Sequence, residues 1–218
     1  MNWEIVAGSK AQNGRSRSED DFFISRGTFP ACGIADGAGN ANLAARKALT
    51  LFSKLHNDAE KTPEKLLDPE VWKSWVKVLD SSLLGGAQST FVGLNIGDVM
   101  EGTARKTVAV GVACGDSRLY LLDRQGKLTF VTDGATKARL GSGQASAFTF
   151  KIDRLLPGDI LLLLSDGAYT PVSMTELQKI VVTSAVKHLS EVPNAIINRA
   201  GKYGGLSDDA TVVCARVR

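Results

Sequence analysis

Aspartates recur beside apolar runs along the whole chain, just before, at the end of or just after segments that read as strands. They lie in SEDD (Ser18 to Asp21), GIADGAGN (Gly33 to Asn40), CGDSRLYLL (Cys114 to Leu122), LLLLSDGAY (Leu161 to Tyr169) and LSDDATVV (Leu206 to Val213). In three of these runs a carboxylate stands next to glycine at the rim of a stretch that wants to be buried. A carboxylate there is costly unless its charge is compensated. The same motifs contain no comparable set of Lys or Arg, so the compensation expected is a divalent cation held by hard oxygen ligands. The chemistry this suggests is metal-assisted hydrolysis.

Such distant positions meet only if their strands lie side by side, about 4.8 Å apart. Two unpaired carboxylates at about 4 Å repel by roughly 4 kcal/mol at an effective dielectric near 20. A pair of divalent ions turns that repulsion into binding. It also supplies a water of lowered pKa, and two ions about 3.5–4 Å apart stabilise both oxygens of a phosphoryl displacement. At Asp36-Gly37 the glycine lets the main chain turn tightly and leaves its carbonyl free to approach an ion.

The elements that must position these groups follow from periodicity. Trp3 to Ser9, Asp21 to Ser25 and Ala31 to Ala35 read as strands, with a turn at Asn13-Gly14. Asn40 to Asn57 has helical spacing, with Asn40 or Asn42 as its N-cap, and Pro69 to Leu84 repeats the pattern around Trp72 and Trp75. Those tryptophans read as core packing. Phe91 to Ile96, Thr107 to Cys114, Leu119 to Asp123 and Lys127 to Val131 read as a meander, with tight turns at Gly97-Asp98, Gly115-Asp116 and Arg124 to Gly126. Phe148 to Ile152 and Asp159 to Leu164 continue it. Helices are expected at Thr175 to Leu189 and Asn194 to Tyr203, and a last strand at Ala210 to Val217. Strands and helices in separate blocks indicate an α+β fold.

At 218 residues the chain suits a single domain, 1–218, without internal repeat or linker. The formal charge of +3 comes with no Lys/Arg block, so no nucleic-acid partner is indicated. The run Ile160 to Leu164 is too short to span a bilayer, and Met1 to Ser9 has no signal-peptide character, so no membrane role and a cytoplasmic location are expected. Cys32, Cys114 and Cys214 lack metal or redox spacing and read as reduced core thiols. The two histidines, His56 and His188, lie away from the acidic motifs and read as surface or boundary residues. Asp123, Asp133 and Asp153 read as solvated turn residues, and Asp98 and Asp159 as turn formers.

Taken in order, the motifs resemble the metal-dependent protein phosphatases of the protein phosphatase 2C type, in the manner of a compact bacterial member, over nearly the whole chain. The likeness rests on Arg15 with Glu19-Asp20, on Asp36-Gly37-Ala38-Gly39, and on Gly115-Asp116-Ser117-Arg118 with Tyr120. It continues through Pro157 to Gly167 and ends in Asp208-Asp209-Ala210-Thr211. The resemblance implies a four-layer α-β-β-α sandwich, two mainly antiparallel sheets flanked by helices. It also implies a hydrolase of phosphoserine and phosphothreonine in proteins, acting in signalling on the product of a Ser/Thr kinase. Two Mn²⁺ or Mg²⁺ ions and a third, weaker one are implied, with a water between the paired ions as nucleophile. By the same resemblance Asp36 bridges the ions, the Gly37 carbonyl binds one, and Asp166 and Asp208 hold the other. Asp116 serves the third. Asp20 acts through metal-bound water, Glu19 supports it, and Arg15 grips the phosphate.

The chain departs from that family in having Ser18 where Asn is usual, Asn40 where a second glycine is common, and Asp209 in place of Asn. No His follows Asp36-Gly37. Thr132 to Ala147 replaces a longer flap, which implies an open site and bears on substrate selectivity and on the third metal; the chain is expected to be a monomer. The alternative is a pseudophosphatase that binds phosphorylated partners without turnover. An aspartate-nucleophile phosphatase would need a DxDx[TV] run, which is missing.

Overall fold

The apolar runs pair into two antiparallel sheets. The computed structural model describes residues 3–38 and 42–218. In chain order the elements are β1 (Trp3–Lys10), β2 (Asp21–Ser25), β3 (Ala31–Ala35), β4 (Gly37–Ala38), α1 (Asn42–Ala59), a 3-10 turn (Pro63–Leu67), α2 (Pro69–Leu83) and β5 (Gln88–Ser89). Then come β6 (Phe91–Glu101), β7 (Ala104–Cys114), β8 (Arg118–Leu122), β9 (Leu128–Phe130), β10 (Phe148–Leu155) and β11 (Ile160–Leu164). The chain closes with α3 (Asp166–Tyr169), α4 (Met174–Lys187), α5 (Glu191–Ala200) and β12 (Ala210–Val217). One sheet has the order β1-β12-β11-β8-β9 and the other β10-β7-β6-β3-β2; a two-stranded pair joins β4 to β5.

The sheets face each other across a layer that includes Ile34, Leu94, Leu161, Leu163 and Val213. Behind the second sheet, α1 and α2 pack through Phe52, Trp72, Leu79 and Phe91. Behind the first, α4 and α5 pack through Val181, Val192 and Ile196. This is the expected four-layer α-β-β-α sandwich. The run Ile160 to Leu164 shows how one strand serves two layers. Leu161 and Leu163 point to the opposite sheet, whereas Leu162 and Leu164 point to the helices. Successive side chains alternate faces, so a strand covered on both sides must be apolar throughout.

Local signals start the helices where the packing needs them. Asp68 accepts a bond from the Glu70 amide, with Pro69 at the first helical position of α2. Ser173 and Glu176 form a reciprocal capping box at α4. Asn40, proposed as a cap for α1, and Gly39 lie outside the described residues. So does the side chain of Asn42, although α1 begins there.

Several expectations are revised. The strands after Ser89 are not one meander: β6 and β7 belong to one sheet, and β8 and β9 to the other. No turn occurs at Gly97-Asp98, because β6 and β7 pair without interruption from Phe91↔Cys114 to Glu101↔Ala104. Asp98 lies within β6, where Thr107 Oγ1 donates to it at 2.6 Å. Asp153 lies within β10 rather than in a turn, whereas Asp159 closes the turn from Leu156 as expected and is buried besides, accepting from the amides of Arg124 and Leu156. The helix expected from Asn194 starts at Glu191. His56 is fully buried on the inner face of α1, one turn after Phe52, with Nε2 at 3.2 Å from Asn95 Oδ1. Helical geometry put it inward and polarity misled the reading. The three cysteines are free and buried, as expected.

Candidate active site

The acidic motifs gather at one end of the sandwich because the strands that carry them run to the same edge. Asp36 follows β3 and Asp166 follows β11, while Asp208 and Asp209 precede β12. Asp20 precedes β2, and Asp116 sits in the connection where the chain passes from β7 in one sheet to β8 in the other.

The main chain at Asp36 is fixed by hydroxyls. Its amide donates to Thr90 Oγ1 at 3.1 Å, and its carbonyl accepts from the Thr90 amide at 2.9 Å and from Ser89 Oγ at 3.0 Å. Thr90 Oγ1 in turn lies 2.7 Å from Ser117 Oγ, which ties the Asp36 corner to the Asp116 connection. Gly37 is buried in β4 and pairs with Ser89. Gly115 has φ +92°, and an added Cβ would lie 2.9 Å from Thr90 Cβ, so only glycine permits this close crossing between sheets.

On the opposite side, Ser165 Oγ donates to Asp20 Oδ2 at 2.7 Å and accepts from the Thr211 amide at 2.8 Å. Asp166 opens the short α3. Gly167 beside it lies against the backbone of the Asp208-Asp209 turn, where a Cβ would come within 2.2 Å of the Asp209 carbonyl oxygen. That contact locks Asp166 and Asp208 to one another. The Gly-Asp-Ser-Arg-x-Tyr run supplies a further brace. The Arg118 guanidinium stacks 3.7 Å from the Tyr169 ring centroid and donates to Tyr120 Oη, while Tyr169 Oη donates to the Asp116 carbonyl.

Electrostatics shows which carboxylates are neighbours. Burial, reinforced by the charges of Asp20, Asp166 and Asp208 and opposed by the Arg139 guanidinium, pushes Asp36 up to about 9. Burial pushes Asp20 up to about 7, with Asp209 and Asp166 adding to the shift and hydrogen bonds from Ser165 and Thr211 resisting it. Asp166 is raised by burial and by Asp208 and Asp116. Five acidic residues named from the sequence (Asp20, Asp36, Asp116, Asp166 and Asp208) therefore share one electrostatic neighbourhood.

The fit of this neighbourhood to a divalent cation rests on unmet polar atoms. Asp116 Oδ1 and Asp166 Oδ1 are buried without a hydrogen-bond partner among the described residues. All the candidate donors are hard oxygens, the type that Mg²⁺ and Mn²⁺ take. Among the described residues no three His, Cys, Asp or Glu side chains are already drawn together as a cation cage. Like charges without an intervening cation hold one another apart or take up protons, so the residues fit the ions without forming a closed cage beforehand.

Arg15 and Glu19 stand at the rim. The Arg15 guanidinium lies 3.2 Å from Glu19 and 3.4 Å from Asp209. Asp209 is buried and accepts from the amides of Gln12 and Glu19, both at 2.6 Å, whereas Asp208 is exposed. The second aspartate thus organises the loop 12–19 instead of simply adding charge. Ser165, Thr90, Ser89 and Ser117 were given no role from the sequence; for Ser165 the signal was its place in Ser-Asp-Gly, and for Ser117 its place in Gly-Asp-Ser-Arg. Arg139 was missed as well, and its setting in the Thr132 to Ala147 segment carries no motif.

The family model described as stage II sporulation protein E (SpoIIE) matches residues 31–218. The structure is similar to that of the catalytic domain of the serine threonine protein phosphatase PstP in complex with two manganese ions, with TM-score 0.74, 21% identity, and 99% of each chain covered. It is similar to that of the Mycobacterium tuberculosis serine/threonine phosphatase PstP/Ppp, with TM-score 0.76, 22% identity and 100% of both chains covered. A bacterial serine phosphatase matches with TM-score 0.79 at 17% identity, over 100% of this chain and 98% of that one. At such identities the likeness is one of fold. No curated protein matches the chain.

Proposed function

The chain belongs to the SpoIIE family, and from that membership together with its acidic site we propose that it is a Mn²⁺- or Mg²⁺-dependent protein serine/threonine phosphatase. The observation that carries this reading is the convergence of Asp20, Asp36, Asp116, Asp166 and Asp208, from five separate segments, with two buried carboxylate oxygens lacking a hydrogen-bond partner among the described residues. Asp36, the Gly37 carbonyl, Asp166 and Asp208 would hold two ions, and Asp116 would serve a third. When bound, the ions supply positive charge to the phosphate and water of lowered pKa. Asp20, held by Ser165 and raised by burial to about 7 in the metal-free protein, is placed to accept a hydrogen bond from water in its ionised form. Glu19 and Asp209 orient Arg15 at the rim, where its remaining N–H groups can meet a phosphoprotein.

The substrate class is a phosphoserine or phosphothreonine protein, the product of a Ser/Thr kinase. The protein is read as a monomeric single domain acting in the cytoplasm; among the described residues no helix is long and apolar enough to cross a membrane. Phosphate release from a phosphothreonine peptide with Mn²⁺, lost in Asp36→Asn, is the expected result. Metal-dependent turnover of neither phosphopeptide nor aryl phosphate would refute the enzyme reading.

A second reading, a phosphoprotein-binding module without turnover, draws support from Arg15 being occupied by two carboxylates. It predicts phosphopeptide binding that persists in Asp36→Asn, with no phosphate released by either protein.

A further inference from the structure

The Arg139 guanidinium faces Asp116 and its charge acts on Asp36, and the roles assigned above leave it unused. It lies on the strap that replaces the flap, and that strap is tied down on both sides of it. The Ala138 carbonyl accepts from the Cys114 thiol, and the Arg139 carbonyl accepts from Ser142 Oγ. Leu140 is fully buried and exchanges both backbone hydrogen bonds with Ser89, the residue whose hydroxyl donates to the Asp36 carbonyl. Just beyond, the Gly141 and Gly143 amides donate to the buried Asp80 of α2. Two links, Leu140 to Ser89 and Ser89 to Asp36, therefore connect the strap beside Arg139 to the Asp36 backbone.

The Arg139 guanidinium stands 3.9 Å from Asp116 Oδ1. That is within Coulombic reach but beyond a hydrogen bond, and no other described residue accepts from its N–H groups. Arg15, by contrast, has carboxylates at 3.2 Å and 3.4 Å. With no carboxylate among the described residues within hydrogen-bond distance of its guanidinium, Arg139 keeps its N–H donors for an incoming phosphate, and its planar fork can meet two oxygens at once. The Arg139 side chain is 29% exposed, sheltered yet open to a ligand.

We propose that Arg139 is a substrate-binding residue: steered by Asp116 and held beside Asp36 by the strap, its guanidinium grips the phosphate oxygens of the ester. This rests on the phosphatase reading and adds to it the group that positions the phosphate. A residue that merely balances the acidic charge would alter Mn²⁺ affinity and leave phosphate affinity alone.

The test uses the full Mn²⁺-loaded chain with Arg139→Ala and Arg139→Lys, each checked by thermal unfolding. Calorimetry measures the affinity for inorganic phosphate, and steady-state kinetics on a phosphothreonine peptide measures KM and kcat. Arg139→Ala is expected to weaken phosphate binding and raise KM on the order of ten- to a hundredfold, with a smaller change in kcat, and Arg139→Lys to recover part of the loss. Unchanged phosphate affinity and KM in Arg139→Ala overturns the proposal, even if Mn²⁺ affinity shifts, and so does a wild-type protein that binds no inorganic phosphate. If Arg139→Ala does not fold, Arg139→Lys decides: losing the fork should weaken phosphate binding, and no change overturns it. A wild type that binds phosphate but turns over no substrate refutes the phosphatase reading, while the phosphate affinities still judge Arg139.

Discussion

Replacing Gly167 by alanine tests whether the site is held together by backbone contact. The added Cβ would stand 2.2 Å from the Asp209 carbonyl oxygen, 2.9 Å from its carbonyl carbon and 3.1 Å from the Asp208 carbonyl carbon. All three neighbours are main chain, so no flexible side chain can yield. Either the α3 turn or the start of β12 must move by about an ångström, since ordinary contact needs well over 3 Å. Overpacking of this kind costs about 1–3 kcal/mol, roughly 2–12 °C of Tm at this chain length. The displaced backbones carry Asp166 and Asp208, so Mn²⁺ affinity should fall together with stability. Thermal unfolding with and without Mn²⁺, and calorimetric titration of the metal, measure the two effects. A Gly167→Ala protein with wild-type Tm and wild-type Mn²⁺ affinity would refute the claim that this contact sets the spacing of the two carboxylates.

Three other outcomes are expected. Asp36 and Asp20 are raised to about 9 and about 7 in the folded, metal-free protein. Their contribution to stability is therefore fully present below the unfolded carboxylate range near 4 and is lost as pH rises through about 7 and then about 9. With chelator the Tm should fall over that window, and with saturating Mn²⁺ the fall should flatten as protons leave on binding; parallel curves would contradict the assignment. Asp209→Ala leaves the amides of Gln12 and Glu19 without their acceptor, which should cost about 1–3 kcal/mol in denaturant unfolding, and Asp209→Asn less. Arg118→Leu removes the stacking on Tyr169 and should lose about 0.5–2 kcal/mol, with a weaker hold on Asp116; an unchanged unfolding midpoint would show that the brace is dispensable.

Local patterning carried the strand and helix content. β2, β3 and β12 fall on the residues where alternation and flanking turns put them, and α2 stops at Leu83, just before Gly85-Gly86, because period and turn chemistry act over a few residues. The acidic motifs were visible for the same reason, since a carboxylate beside a buried run stands out on composition alone. Pairing was not so visible. Whether Cys114 to Leu122 stays in one sheet or crosses to the other depends on partners far along the chain, and so does the burial of His56, which polarity argues against. The two aspartates before β12 look alike in the sequence, yet packing leaves one exposed beside Asp166 and buries the other under the amides of Gln12 and Glu19. Arg139 has no signature of its own. It becomes a neighbour of Asp36 only through the bridge between Leu140 and Ser89, and contacts between residues some fifty positions apart are formed by the folded core rather than by the local chain.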